Sequence, residues 1–282
     1  MSSQHTILIT GCSSGIGLCA AEGLAARGYR VFATARKAAD VAMLQAKGLE
    51  ALQLDLADSA SIQVAMGEVL LRTEGRLDAL FNNAGYGQPG AVEDLSRDVL
   101  RAQFETNLFG MLELTNLVLP VMRRQGAGRI IQNSSLLGYV ALAYRGAYNA
   151  SKYAIEGLTD TLRLELNGSG IYVSLIEPGP ISSRFRANAF ELYQRYIDKT
   201  NSVHRAKYEA MERRLTMPGP AAPFTLPPQA VLTALLHALE SKRPRIRYRV
   251  TVPSTIFMLC KRFLSDAMLD RVLRQVAKGE TK

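Results

Sequence analysis

A tyrosine and a lysine stand four positions apart in Tyr148-Asn149-Ala150-Ser151-Lys152. In a helix, that spacing stacks a phenol and an ammonium on one face. A free phenol ionises near pH 10, so at neutrality it neither gives nor takes a proton readily. A neighbouring positive charge favours the phenolate and turns the pair into a usable acid–base. The pattern alone also decorates many surface helices. Ser135 lies 13 residues before the tyrosine, just past an apolar run, where a hydroxyl suits a carbonyl oxygen. Ser134 offers a second hydroxyl, and the spacing favours Ser135.

A second cluster lies near the start of the chain. Thr10-Gly11-Cys12-Ser13-Ser14-Gly15-Ile16-Gly17 follows the apolar run 5–10 and feeds the stretch 16–27, where apolar residues recur at three and four. Such a strand–turn–helix lets backbone approach a pyrophosphate and points helix amides at its charge. A turn of this kind selective for NAD(H) carries an acidic residue about 20 positions later, for the ribose 2′-hydroxyl. Here the next strand ends in Thr34-Ala35-Arg36-Lys37. The Arg36 guanidinium can hold a 2′-phosphate through two charge-assisted hydrogen bonds, so NADP(H) is expected over NAD(H). Lys37 reads as solvated.

These residues need a frame. Apolar strand-like runs at 5–10, 30–35, 52–54, 77–81, 129–132 and 172–176 alternate with helical stretches at 59–72, 99–123 and 148–166. Runs so apolar are buried on both faces, which predicts an α/β fold: one doubly wound (Rossmann) parallel sheet with helices on both faces. Ligands of such a sheet lie at the carboxyl ends of its strands. The segment 180–228 holds six prolines and scattered aromatics, and is expected to act as a substrate lid. No repeat or linker divides the chain, so 1–282 is read as one domain ending in a basic helical segment at 250–282.

The motifs resemble, in order and spacing, the short-chain dehydrogenase/reductase superfamily over residues 5–185. The match runs through the glycine turn, Asp55, Asn82-Asn83-Ala84-Gly85, Asn107, Ser135, Tyr148/Lys152 and Pro178-Gly179. Within it the chain looks closest to bacterial NADP-dependent aldehyde reductases related to 17β-hydroxysteroid and retinol dehydrogenases. The resemblance implies Tyr148 as proton donor or acceptor, with Lys152 depressing its pKa and holding the nicotinamide ribose. It implies Ser135 on the carbonyl and Asn107 ordering a water beside Lys152. Gly11, Ser13, Ser14, Gly15, Ile16, Gly17, Arg36, Asp55, Leu56, Asn82, Ala84, Gly85, Pro178, Gly179 and Ile181 would line the cofactor together with Tyr148 and Lys152. Ser183 stands where the family places a threonine against the carboxamide. Hydride passes straight from nicotinamide to carbon, so no metal is expected.

Composition narrows the alternatives. Three cysteines without metal-ligand spacing argue against a disulfide scaffold or zinc module. The opening residues carry no secretory pattern, and a cytoplasmic location is expected. Of the net charge of +9, nearly all sits in 242–282, with 11 Lys/Arg against 3 Asp/Glu. That concentration is unlike a nucleic-acid face, and no nucleic-acid partner is expected. Ile256, Leu259, Phe263 and Ala267 recur at helical spacing among Lys261, Arg262, Arg271 and Arg274. Such a stripe either packs over the cleft or a second subunit, or lies on an anionic membrane. The expected substrate is a small apolar aldehyde or ketone, or the matching alcohol, turned over by a homodimer or homotetramer. The alternatives are a hydroxysteroid- or retinol-type dehydrogenase and a non-catalytic NADP-binding regulator.

Overall fold

The computed structural model describes residues 4–220 and 222–280; the ends of the expected domain, 1–3 and 281–282, lie outside the described residues. Seven parallel strands form one sheet in the order β3-β2-β1-β4-β5-β6-β7. They are β1 (Thr6–Ile9), β2 (Arg30–Ala35), β3 (Glu50–Gln53), β4 (Ala79–Asn82), β5 (Gly128–Asn133), β6 (Ile171–Glu177) and β7 (Arg247–Arg249). Leu8 pairs with Phe32 on one side and Leu80 on the other, and all of these side chains are buried. The chain reverses its winding direction between β1 and β4, so the strand ends there open a crevice.

Two helical layers cover the sheet. On one face lie α1 (Gly15–Ala25), α2 (Ala38–Ala46) and α9 (Gln229–Glu240), which bury Ala20, Leu24, Leu44, Val231 and Leu235 against Ile7, Val31 and Phe81. On the other, α3 (Ser59–Arg72) and α5 (Gly110–Gln125) bury Ile62, Val69, Leu114 and Val118 against Leu8, Phe32 and Leu80. The expected doubly wound sheet is present. Its seventh strand, absent from the sequence reading, is a short run of two arginines around Tyr248 with no apolar signature.

The stretch 99–123, read as one helix, is three pieces. α4 (Arg97–Phe104) passes into a widened π-type turn at Glu105–Phe109 before α5 resumes. The widened turn includes Asn107, and such turns often mark working sites. The lid is also more ordered than its prolines suggested. It carries α7 (Phe185–Tyr196) and α8 (Arg205–Thr216), whose Tyr193 and Tyr208 are fully buried.

The tail reading needs correcting in its face and continuity. The chain breaks between α10 (Val252–Phe263) and α11 (Asp266–Glu280), so Ala267 belongs to a different helix from Ile256, Leu259 and Phe263. Those three point outward, and Phe263 is 73% exposed. The packed face is instead Phe257, Cys260, Leu264, Leu269, Leu273 and Val276, laid on Leu136, Leu137, Val140 and Leu142. The tail thus covers the loop after β5. No helix among the described residues is long and apolar enough to cross a membrane.

Candidate active site

Polar groups at three strand ends knit the crevice together. Thr10, fully buried after β1, accepts the backbone N–H groups of Asn83 and Ala84 on its hydroxyl, both at 2.9 Å. Asn83 donates its amide to the carbonyls of Thr10 (2.9 Å) and Gly11 (3.2 Å). Its own side-chain oxygen accepts from Asn133, at the end of β5, at 2.9 Å. These bonds fix the glycine turn against β4 and β5.

Glycine is required here by contact as well as backbone. Gly11 has a φ of 73°, and a Cβ on it would lie 2.8 Å from the Cα of Ala84. One on Gly17 would lie 2.2 Å from the Gly11 carbonyl oxygen. Ser14 stands at the N-cap of α1 without a side-chain capping bond, and the first turn, with Gly15, Ile16 and Gly17, holds no acidic residue. Cys12 and Ser13 complete the turn. Cys12 is buried, its thiol pushed up to about 12 by desolvation, which leaves it inert. A cradle of backbone amides without a carboxylate, too tight for side chains, fits a pyrophosphate.

The other expected cofactor residues lie at or just past strand ends, with one exception in side-chain direction. Arg36 is exposed past the end of β2, where its charge acts on the phenol of Tyr86. Asp55 follows β3 and accepts from the Ala57 N–H at 3.0 Å, while Leu56 is buried on Gly110. Gly85 lies against Asn107. Pro178 accepts the Leu136 N–H at 2.9 Å, and Gly179 packs on Thr251 at the start of α10. Ile181 bridges to Leu226, and Ser183 packs on Gly15, beside the glycine turn. The exception is Asn82. Its side chain is buried on the helix side of the sheet, donating to Thr115 at 2.9 Å. Asn83, one residue on, is the asparagine that faces the turn.

The catalytic candidates converge on one helix and one loop. α6 (Gly146–Glu165) carries Tyr148 and Lys152, and Ser135 begins the turn after β5. The hydroxyl of Ser135 accepts from the Leu137 N–H at 3.1 Å and also interacts with the Tyr148 phenol. Lys152 is buried, donates to the Asn133 carbonyl at 2.6 Å, and sits 5.6 Å from the centroid of the Tyr148 ring. Asn107 is buried in its widened turn. Its amide donates to the Tyr86 carbonyl (2.9 Å) and the Ser151 hydroxyl (3.1 Å), and its oxygen accepts the Tyr86 N–H (3.1 Å).

The electrostatics differ from the sequence expectation. Burial holds the Tyr148 phenol up at about 12, with Ser135 pulling it partly back. Burial also brings the Lys152 ammonium down to about 8, opposed by the charge of Glu156. In the chain alone, desolvation outweighs any help from the lysine, and the phenol keeps its proton. A protonated phenol beside a serine hydroxyl can donate to a carbonyl oxygen. Phe185, at the start of α7, stacks edge-on against Tyr148 with ring centroids 5.3 Å apart and closes the lid side. The sequence assigns no site role to Phe185, Thr10, Asn83 or Asn133, although Thr10 and Asn83 stand in its motifs. Polar residues ending apolar runs were the available signal for the last three.

Comparison with known proteins agrees with this arrangement. The family model for short chain dehydrogenases matches residues 5–194. The chain is 41% identical to the uncharacterized oxidoreductase YbbO of Escherichia coli, over 96% of this chain and 94% of that one. It is 35% identical to human 17-beta-hydroxysteroid dehydrogenase type 1, over 88% and 78% of the two chains. A solved variant of actinorhodin polyketide ketoreductase with NADPH superposes at a TM-score of 0.72, with 28% identity and coverage of 89% and 97%. With the strand order, the glycine turn and the Ser–Tyr–Lys set on one crevice, these likenesses place the protein in the short-chain dehydrogenase family, the oxidoreductases of the CH–OH donor class.

Proposed function

We propose that the protein is an NADP(H)-dependent oxidoreductase that interconverts an apolar aldehyde or ketone and its alcohol. The observation carrying this reading is the meeting of Ser135, Tyr148 and Lys152 beside the glycine turn. In reduction, Ser135 and Tyr148 hold the carbonyl oxygen. Tyr148 gives that oxygen its phenolic proton as the carbon is reduced, and the Lys152 ammonium offsets the phenolate left behind. The nicotinamide, when bound, supplies the hydride. In oxidation Tyr148 takes the alcohol proton instead.

Selection of the phosphorylated dinucleotide rests on Arg36, exposed beyond β2 with no ion pair to a carboxylate among the described residues. The apolar character of the substrate rests on its surroundings. Tyr148 lies among Leu142, Val140, Phe257 and Phe185. Likeness to a hydroxysteroid dehydrogenase supports a hydroxysteroid as the second substrate class. Exposed Phe109, Tyr153, Leu158 and Leu164, on or beside α5 and α6, support a homo-oligomer built on those helices.

The test is Tyr148→Phe, assayed by NADPH consumption across aldehydes, ketosteroids and retinal. Turnover falls by at least about 10²–10⁴-fold while NADPH affinity stays within a few-fold. Undiminished turnover refutes the assignment.

A further inference from the structure

The reaction scheme leaves a buried ionic cluster unused. Glu156 lies one helical turn beyond Lys152 on the same face of α6, and both are buried. Its carboxylate receives the Arg247 guanidinium from β7 at 3.1 Å, and Arg247 also reaches Asp160 (2.7 Å) and Glu177 (2.9 Å). Arg249 stands 3.4 Å from Glu177, the residue before Pro178. On its other side Glu156 packs against Ser134 beneath Gly138. A Cβ on Gly138 would lie 2.8 Å from the Ser134 hydroxyl oxygen and 3.1 Å from Glu156 Oε1. The cluster therefore joins the catalytic helix, the serine turn and the strand end of the cofactor loop.

We propose, building on the oxidoreductase reading, that Glu156 is a positioning residue whose carboxylate, anchored by Arg247, keeps the Lys152 side chain charged and seated on the Asn133 carbonyl. Lys152 has been removed from water, which disfavours its ammonium, and Glu156 is the charge that opposes this. The groups facing Glu156 are Lys152 and Asp160 from α6, Glu177 from β6, and Arg247 from β7; Tyr139, in the turn after β5, also feels its charge. Burial raises the Glu156 carboxyl, and Ser134 and Arg247 pull it back toward ionisation. Arg247 therefore acts on Lys152 through Glu156.

The sign follows from the charge of Glu156 one turn along the helix from Lys152. An anion near an ammonium raises its midpoint, so removing the anion lowers it. Lysine 13Cε titration by NMR, with the Lys152 signal assigned from Lys152→Met, reads this without any turnover. In Glu156→Gln the Lys152 midpoint falls by roughly one pH unit, the order of size by which a neighbouring opposite charge shifts an ionisable group. Glu156→Asp, with the same charge drawn back by one methylene, lowers it by a smaller step and decides the matter alone if the Gln variant does not fold. A Lys152 midpoint that stays put in the folded variants overturns the inference. The alkaline limb of kcat/KM should move acidward by the same interval. If the titration moves and the limb does not, the acid–base reading of Lys152 fails while the Glu156 inference stands.

Discussion

The crevice and the lid are held by opposite kinds of interaction. Around the glycine turn, polar groups of buried Thr10 and half-buried Asn83 and Asn133 hold one strand end to the next through short-reach bonds in a parallel sheet. Across the segment 180–228, side chains reach between helices and loops around the buried cluster of Tyr193 and Tyr208. Arg186 donates to the Met217 and Gly219 carbonyls, Ser202 and Tyr208 donate to Asp94, and His204 meets Glu93. The first kind joins backbone and side chain of neighbouring strand ends. The second supplements the buried cluster around Tyr193 and Tyr208 that packs α7 and α8. The difference predicts a division of labour, in which chemistry and cofactor belong to the crevice and substrate choice to the segment carrying α7 and α8.

The strongest way to break that division is Thr10→Val. The substitution keeps the side-chain shape and leaves the Asn83 and Ala84 N–H groups without their buried acceptor. Each orphaned group costs about 1–3 kcal/mol. We expect a melting temperature lower by roughly 2–4 °C per kcal/mol and a matching loss of NADPH affinity that is the same with every substrate. A loss confined to some substrates would contradict the division.

Arg36→Asp acts on the same region from its surface. It removes a cation that would pair with a 2′-phosphate and places a repelling charge there. NADPH affinity should fall roughly 10- to 100-fold while NADH affinity holds or rises, in isothermal titration. An unchanged preference would mean that another residue reads the phosphate.

The same contrast explains what was legible in the sequence. The glycine turn and Ser135 were readable because they follow apolar strands whose ends meet at one crevice, and Tyr148 and Lys152 because their spacing puts them on one helix face. Asn82 and Asn83 were not distinguishable, since successive residues at a strand end face opposite sides, and only the register shows which one meets Thr10. The widened turn at Asn107 left no mark, because the apolar period continues through it. β7 was invisible for a physical reason. Arg247 is satisfied by Glu156, Asp160 and Glu177, which lie 70 or more positions earlier, so this edge strand needs no apolar run to be held beside β6. In the lid, prolines cluster after α8, while α7 and α8 are anchored by Tyr193 and Tyr208, spaced too far apart to set a period.

Phe185→Ala tests the lid side at closer range. The ring stacks on Tyr148, and a Cβ on Gly87 would lie 2.7 Å from its tip, so it fills the space above the reacting phenol. Removing it costs apolar contact with substrate, and KM for apolar carbonyls should rise about 10-fold, while NADPH affinity stays within error. A parallel loss of NADPH affinity would show that the lid serves the cofactor as well.

The mildest substitution, Tyr208→Phe, asks whether the lid is a unit or a set of separable latches. The Tyr208 hydroxyl accepts the Ala91 N–H at 2.9 Å and donates to Asp94, whose carboxyl is held below the usual range first by Ser202 and then by Tyr208. The ring is fully buried among Tyr193, Tyr144 and Ala91, and phenylalanine preserves that packing. The loss is therefore the hydroxyl alone. Ser202 still serves Asp94 at 2.6 Å, so the cost reduces to one unsatisfied backbone N–H, about 1 kcal/mol or slightly more. With separable latches, melting temperature drops by roughly 2–4 °C and KM shifts by no more than a few-fold, with kcat and NADPH affinity untouched. A collapse of kcat would show instead that α8 and the catalytic helix move as one body, since Ala147 of α6 belongs to the same buried cluster as Tyr208. That result would merge the two regions that the hydrogen-bond pattern separates.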